Sequence, residues 1–237
     1  MVTGFVCACP CESSFHAVSI LNYYVLACDA ECIEKYNEKP KKKESIISTH
    51  RIPVPFKGDK NAPVVILSNN PGIELDEDDQ HKRPDYIEIK KKNLLHEPQE
   101  YPFYSLNPAL SDVSSYKYWH KRLRTLIENS SQKRVAERIF LVEFFPYLST
   151  KFDFDELIIP SQKYSFSLVE KAIECNSLIV ILRGQKLWFK AIPDLKKHEN
   201  KFVLHSPRSS YLTMKNCGND SYSKLVELIN IDRFCYD

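Results

Sequence analysis

Four polar clusters in this chain each follow directly on a short apolar run. Val64-Val65-Ile66-Leu67 gives way to Ser68-Asn69-Asn70-Pro71-Gly72, and Ile139-Phe140-Leu141-Val142 to Glu143-Phe144-Phe145-Pro146-Tyr147. Leu178-Ile179-Val180-Ile181-Leu182 stops at Arg183-Gly184, and Phe202-Val203-Leu204 stops at His205-Ser206-Pro207-Arg208. Amide, carboxylate, guanidinium, imidazole and hydroxyl groups can between them accept, donate and transfer protons and hold an anion. Each also has a plainer reading: a turn at Asn-Pro-Gly, a solvated acid, a helix-side charge, a capping serine. A fifth cluster lies at the start of the chain, where Cys7, Cys9, Cys11, Cys28 and Cys32 account for five of the eight cysteines. A CxCxC turn facing two thiols four apart on a helix would supply four thiolates for structural zinc or an iron–sulfur cluster. The alternative is that these cysteines are small apolar core residues, since the spacing is not the paired CxxC of common zinc sites.

The elements that must position these groups follow from hydrophobic pattern. The four apolar runs are too short for helices and rich in β-branched residues, so they read as buried strands. Between them, Tyr116, Trp119, Leu123 and Leu126 form an apolar helical stripe, with Lys117, Lys121, Arg122 and Arg124 on the remaining surface. A second helical pattern runs from Ser167 to Ile173 after a Pro160-Ser161 start. Strands alternating with helices predict an α/β fold, a three-layer αβα sandwich around a central, mostly parallel four-stranded sheet. Parallel neighbours would bring Asn70, Glu143, Arg183, His205 and Ser206 to one rim, where open α/β sheets bind ligands. Phe15, Val18, Leu21, Val25, Cys28 and Cys32 recur at helical spacing, which predicts a Cys-rich N-terminal helical segment over 1–45. Pro40 and the charge run Lys39–Glu44 separate it from an α/β domain over 46–237.

Composition narrows the class. With 237 residues, 43% hydrophobic and 27% charged, the chain has the make-up of a soluble globular protein able to bury a core without disulfides. A net charge of +2 permits an anionic partner through local basic patches only. Five glycines against 14 prolines, and no GxGxxG or GxxxxGK[ST], exclude a glycine-rich phosphate cradle. No apolar run of about 18 residues is present, so no membrane partner is expected. The apolar stretch from Phe15 to Ala27 has Glu12, and no Lys or Arg, before it. It therefore does not read as a signal peptide, and an intracellular location, cytoplasmic or nucleoid-associated, is expected.

The ordered set of motifs resembles the uracil-DNA glycosylase superfamily over residues 60–215. The first cluster resembles the G-x-N-P-G motif of the mismatch-specific branch, with Ser68 in place of the first glycine. The second strand corresponds to the one that reads the flipped base, and the third resembles the apolar strand that closes in a small residue, here Gly184. His205-Ser206-Pro207-Arg208-Ser209-Ser210 resembles the second catalytic motif, of His-Pro-Ser or Asn-Pro-Ser type.

The resemblance implies a DNA glycosylase that flips a non-standard or damaged base and hydrolyses its N-glycosidic bond. Such a site must position water, tolerate a cationic sugar and donate hydrogen bonds to the departing base. It gives Asn70 the water, either His205 or Ser206 the leaving base, and Asn69, Glu143 and an aromatic, Phe103 or Tyr104, the flipped base. Tyr211, Leu212 and Met214 fall where an apolar wedge enters the vacated stack, and Arg183, Arg208 and Lys215 where DNA is gripped. The expected partner is DNA, single-stranded or modified, and the resemblance implies no cofactor.

Departures sharpen the expectation. Glu143 stands where uracil-specific members commonly carry Asn. Ionised, it only accepts, which favours an amino or ring N–H edge over plain uracil; alternatively it faces solvent. The His-Pro-Ser order is broken, and the acidic loop Glu74–Asp79 would repel phosphate on a DNA-facing surface. Broken motifs also suit a second reading, a catalytically inactive nucleic-acid or nucleotide-binding module of the same fold. A third is an unrelated α/β enzyme acting on free nucleosides or nucleotides.

Overall fold

The computed structural model describes residues 24–73 and 82–231. Five strands, β1 (Phe56–Lys57), β2 (Val64–Ser68), β3 (Ile139–Glu143), β4 (Leu178–Ile181) and β5 (Lys201–Val203), form one sheet in the order β1-β3-β2-β4-β5. β2, β3, β4 and β5 pair in parallel, and β1 runs antiparallel along β3. The four expected strands are all present, and β1 corrects the strand count to five. It is two residues long and has no periodicity to read. It forms because Phe56 and Lys57 pair with Val142 and Leu141, which satisfies backbone groups that the β3 edge would otherwise expose. Gly58 (φ +109°) lets the chain leave that edge closely, since a Cβ there would run into the Ile139 carbonyl oxygen.

Ten helices lie among the described residues: α1 (Ala27–Glu38), α2 (Pro84–Leu94), α3 (Ser114–Arg122), α4 (Arg124–Glu128), α5 (Gln132–Arg138), α6 (Gln162–Glu174), α7 (Gln185–Ala191), α8 (Asp194–Lys197), α9 (Met214–Cys217) and α10 (Asn219–Asn230). Strand alternation sends Val64, Ile66, Leu141 and Val180 to one face, where they meet Trp119 of α3, Leu126 of α4, Val135 of α5 and Leu225 of α10. Val65, Leu67, Val142 and Ile181 point the other way, onto Val169 of α6, Trp188 of α7 and Leu195 of α8. Burial on both faces is why β2, β3 and β4 read as unbroken apolar runs. Each such side chain contributes roughly 1.5–3 kcal/mol of hydrophobic stabilisation.

The N-terminal part of the described chain is tied to this core through a smaller cluster. Ile33 of α1 packs with Phe145, Tyr147 and Phe154. The buried Asp29 carboxylate accepts from the Tyr147 hydroxyl (2.7 Å) and the Ser161 backbone N–H (3.0 Å). The helix expected from Phe15 onward starts at Ala27 where it is described. Before it, the Leu26 N–H is taken by the Tyr147 hydroxyl and the Tyr24 N–H by the Thr49 carbonyl. Cys7, Cys9 and Cys11, like the acidic loop Glu74–Asp79, lie outside the described residues. Cys28 and Cys32 sit half-buried on α1, and the Cys28 thiol faces the Asp29 carboxylate at 3.7 Å. Among the described residues no group of three His, Cys, Asp or Glu side chains is placed to hold a metal ion. No described helix is long and apolar enough to cross a membrane.

Candidate functional site

The ends of the parallel strands are level. Ser68 pairs with Glu143, Leu67 with Ile181, and Ile181 with Val203, so the residues after each strand leave the sheet on one rim. β2 is the strand from which the chain proceeds first to one side, to β3, and then to the other, to β4. The crevice beside it is where such a sheet leaves room for a ligand. A cleft of about 300 Å³ opens there, lined by Ser68, Asn69, Asn70, Lys57, Lys90, Tyr104, Tyr118, Trp119, Glu143, Ser149 and Arg183 among others. Its size is at the lower end of small-molecule sites, suited to one compact ring system.

Asn70 is held in one orientation. Its Nδ2 donates to the Ser149 hydroxyl (2.9 Å) and the Pro71 carbonyl (3.1 Å), and the Ser149 hydroxyl donates on to the Lys151 carbonyl (3.0 Å). The Pro71 carbonyl can only accept, so the amino end of the amide must face it. The Asn70 Oδ1 is left without a protein partner among the described residues. Asn69 is fixed by shape: its Oδ1 lies against the Cα of Gly184, where any Cβ would overlap it, and Gly184 sits at φ +71°. That oxygen is buried and makes no hydrogen bond among the described residues. Below both residues the Ser68 carbonyl accepts from the Trp188 indole N–H (3.1 Å) and the Phe144 N–H (3.0 Å), which fixes the strand end.

Glu143 does not face solvent. It is 3% exposed, with its Oε2 lacking a hydrogen bond among the described residues. Burial pushes the carboxyl up to about 7, against the opposing pull of Lys57, Ser68 and Arg183. It is therefore shared between acid and carboxylate near neutrality, and as the acid it can donate. Lys57 is itself buried in the cleft wall and donates to Ser105 Oγ (3.1 Å) and Ser115 Oγ (2.9 Å), with its ammonium 5.3 Å from the Tyr104 ring centre.

No family model, no curated protein and no solved structure matches the chain.

Of the residues expected at the site, Asn69, Asn70, Tyr104, Glu143 and Arg183 line this one cleft. Phe103 is a correction. It is fully buried just before the 3-10 turn Tyr104–Leu106, edge-on to Trp119 in the main core, and offers no face to a ligand. Leu212 is a second. At 1% exposure it belongs to that core and cannot act as a wedge; its neighbour Met214 is 50% exposed. His205 and Ser206 do not line the cleft. The exposed His205 ring faces the Lys215 carbonyl (Nδ1 3.2 Å), and the Ser206 N–H donates to Asn216 Oδ1 (2.7 Å). Arg208 and Lys215 are exposed and Tyr211 is half-buried near Arg122.

Sequence reasoning missed Lys57, Lys90, Tyr118, Trp119 and Ser149 as cleft residues. Trp119 was legible only as core, which it also is. Lys57 and Ser149 carry no local signal, because what brings them to the cleft is the pairing of β1 with β3 and the bond to Asn70.

Proposed function

We propose that the chain is a base-flipping DNA glycosylase built as a three-layer αβα sandwich, taking an extruded non-standard or damaged base into the cleft beside β2. One observation carries the reading: Asn70 Oδ1 and Glu143 Oε2, neither with a hydrogen-bond partner among the described residues, line the same cleft where the strand order turns. Asn70 Oδ1 accepts from a water and aims it at the sugar carbon. The C–N bond to the base breaks as the water oxygen forms the new C–O bond. The proton of Glu143 passes to the base as negative charge builds there, and the proton released by the water restores the acid. The half-buried Tyr118 supplies an aromatic wall for a planar ring, with the buried Tyr104 and Trp119 behind it. With Glu143 supplying the donor, His205 and Ser206 are not needed at the leaving base.

The position of His205 and Ser206 outside the cleft favours a second reading, a nucleic-acid or nucleotide-binding module without catalysis. One assay separates the two. Duplex and single-stranded DNA carrying uracil, hypoxanthine, mismatched thymine or hypermodified bases is incubated with the protein and scored for abasic sites. Abasic sites from at least one substrate are expected, lost in Asn70→Ala. No product across the panel, with salt-sensitive binding retained, makes the chain a binding module.

A further inference from the structure

Most arginines whose side-chain contacts are described here have their charge answered within the fold. Arg83 meets Asp85 and Asp112, Arg124 meets Glu128, and Arg134 and Arg138 reach carbonyls at the end of α10. Arg122 and Arg183 differ from Arg83 and Arg124: among the described residues neither makes an ion pair with a carboxylate. Instead both converge on one hydroxyl. Arg122 Nε donates to Ser210 Oγ at 3.2 Å and Arg183 Nη2 donates to the same oxygen at 3.5 Å. Arg183 lies within electrostatic reach of Glu143, whose carboxyl burial pushes up to about 7. Two like charges are thus kept together on a fully buried serine, an arrangement that costs energy unless something negative joins it.

The atoms left over are all donors. Ser210 Oγ accepts from both guanidiniums, so its own proton is turned elsewhere and finds no acceptor among the described residues. Arg122 spends one N–H on Ser210 and one on the Tyr118 carbonyl (3.3 Å), and its Nη2 makes no hydrogen bond among the described residues. The Arg122 Cζ lies 3.2 Å from the Tyr118 ring centre and 5.5 Å from that of Tyr211, contacts that hold the guanidinium by its face and leave its edge for hydrogen bonding. Ser210 is held at φ +43°, a conformation a serine rarely adopts. The loop that carries it is fastened to the helix side by Leu212 N–H to the Arg122 carbonyl (3.1 Å) and Thr125 Oγ1 to the Leu212 carbonyl (2.6 Å). Two guanidiniums and a hydroxyl that converge in a fixed loop, with no carboxylate ion-paired to them among the described residues, make a built oxyanion site. Arg183 and Tyr118 also line the cleft, which puts this site at its edge.

We propose that Arg122, Arg183 and Ser210 clamp the phosphate of the nucleotide whose base enters the cleft. The identity of that ligand as a nucleotide rests on the function proposed above; the oxyanion site itself does not. The shared chemistry is a phosphate oxygen pair, from either a DNA backbone diester or a free nucleotide.

The test uses the full chain and a fluorescently labelled single-stranded oligonucleotide, titrated over a range of salt. Arg122→Gln and Arg183→Gln are each expected to weaken binding on the order of tenfold and to lower the salt slope by about one. Arg122→Lys, which keeps the charge and loses the fork, should fall between, with unchanged thermal melting as proof of fold. An oligonucleotide with uncharged methylphosphonate linkages should bind weakly and be indifferent to all three substitutions. Competition by a deoxynucleoside monophosphate, and not by the nucleoside, would assign the clamp to free nucleotides; competition by oligonucleotide alone would assign it to the backbone. Unchanged affinity and slope in both Gln variants, or equal losses on charged and uncharged linkages, would overturn the clamp. Abasic-site formation is scored in parallel. Arginine-dependent binding without any abasic site sinks the glycosylase and keeps the clamp, whereas cleavage with arginine-independent binding does the reverse.

Discussion

At the ends of β2 and β3, Asn70 and Glu143 are enclosed: one amide is pinned by Ser149 and Pro71, and one carboxyl is cut off from solvent. At the end of β5, His205 and Ser206 stand exposed, and the Asn216 side chain holds the Ser206 backbone. Both regions leave the same rim of the same sheet. The central strands are covered on both faces and lend their ends a dry, rigid setting, whereas β5 is a short edge strand with half-buried residues and lends none. A titrating or hydrogen-bonding group gains leverage only in the first kind of setting.

The sharpest way to break this contrast is to exchange the two sides. Asn70→Ala should lower abasic-site formation by about 10²–10³-fold with the fold intact, since the water loses its acceptor. Turnover equal to wild type would remove Asn70 from the mechanism. Glu143→Gln tests the buried acid in two ways. The raised carboxyl binds its proton more tightly folded than unfolded. Its contribution is therefore full below the ordinary value of 4.5 and lost as pH rises through about 7. Urea denaturation should show wild type losing stability over that window and the variant losing less, a difference of a few kcal/mol above it. Cleavage should decline above about pH 7 in wild type, as the acid form is depleted. A flat stability difference across the window would contradict the burial argument.

Smaller effects come next. Gly184→Ala forces a Cβ into Asn69 Oδ1 at a positive φ and should destabilise the protein by about 1–3 kcal/mol. Adding Asn69→Ala should recover part of that loss, the steric part, and full additivity of the two changes in a denaturation cycle would refute the contact. His205→Ala should change stability by less than about 0.5 kcal/mol and the rate by less than about threefold. A loss as large as that of Asn70→Ala would abolish the distinction between the two regions.

What could be read in advance follows from how local each signal is. β2, β3, β4 and β5 announce themselves because strands buried on both faces need unbroken apolar runs, and each terminates where polar residues begin. β1 had no such mark, because its partner lies about eighty residues on and two residues hold no period. Phe103 and Tyr104 are adjacent at an irregular turn and both buried, so sequence offers no phase to decide which of them borders the cleft. Arg122 was legible as part of a solvated helix face. Only the return of the loop through Ser210 and Leu212, ninety residues later, turns that face into a site. Leu212, apolar within a loop, was open to two readings, wedge or core, and long-range packing chose the core.

The close fit of Asn69 to Gly184 has one more consequence, for descent. Neither position can grow unless the other yields, because the carboxamide fills the volume that a larger residue at 184 would need. The two sites, far apart along the chain, therefore form a single heritable unit. Related chains should vary them together, bulk at one accompanied by loss of bulk at the other. A kinship too distant for overall similarity to register would still be detectable in that paired signature.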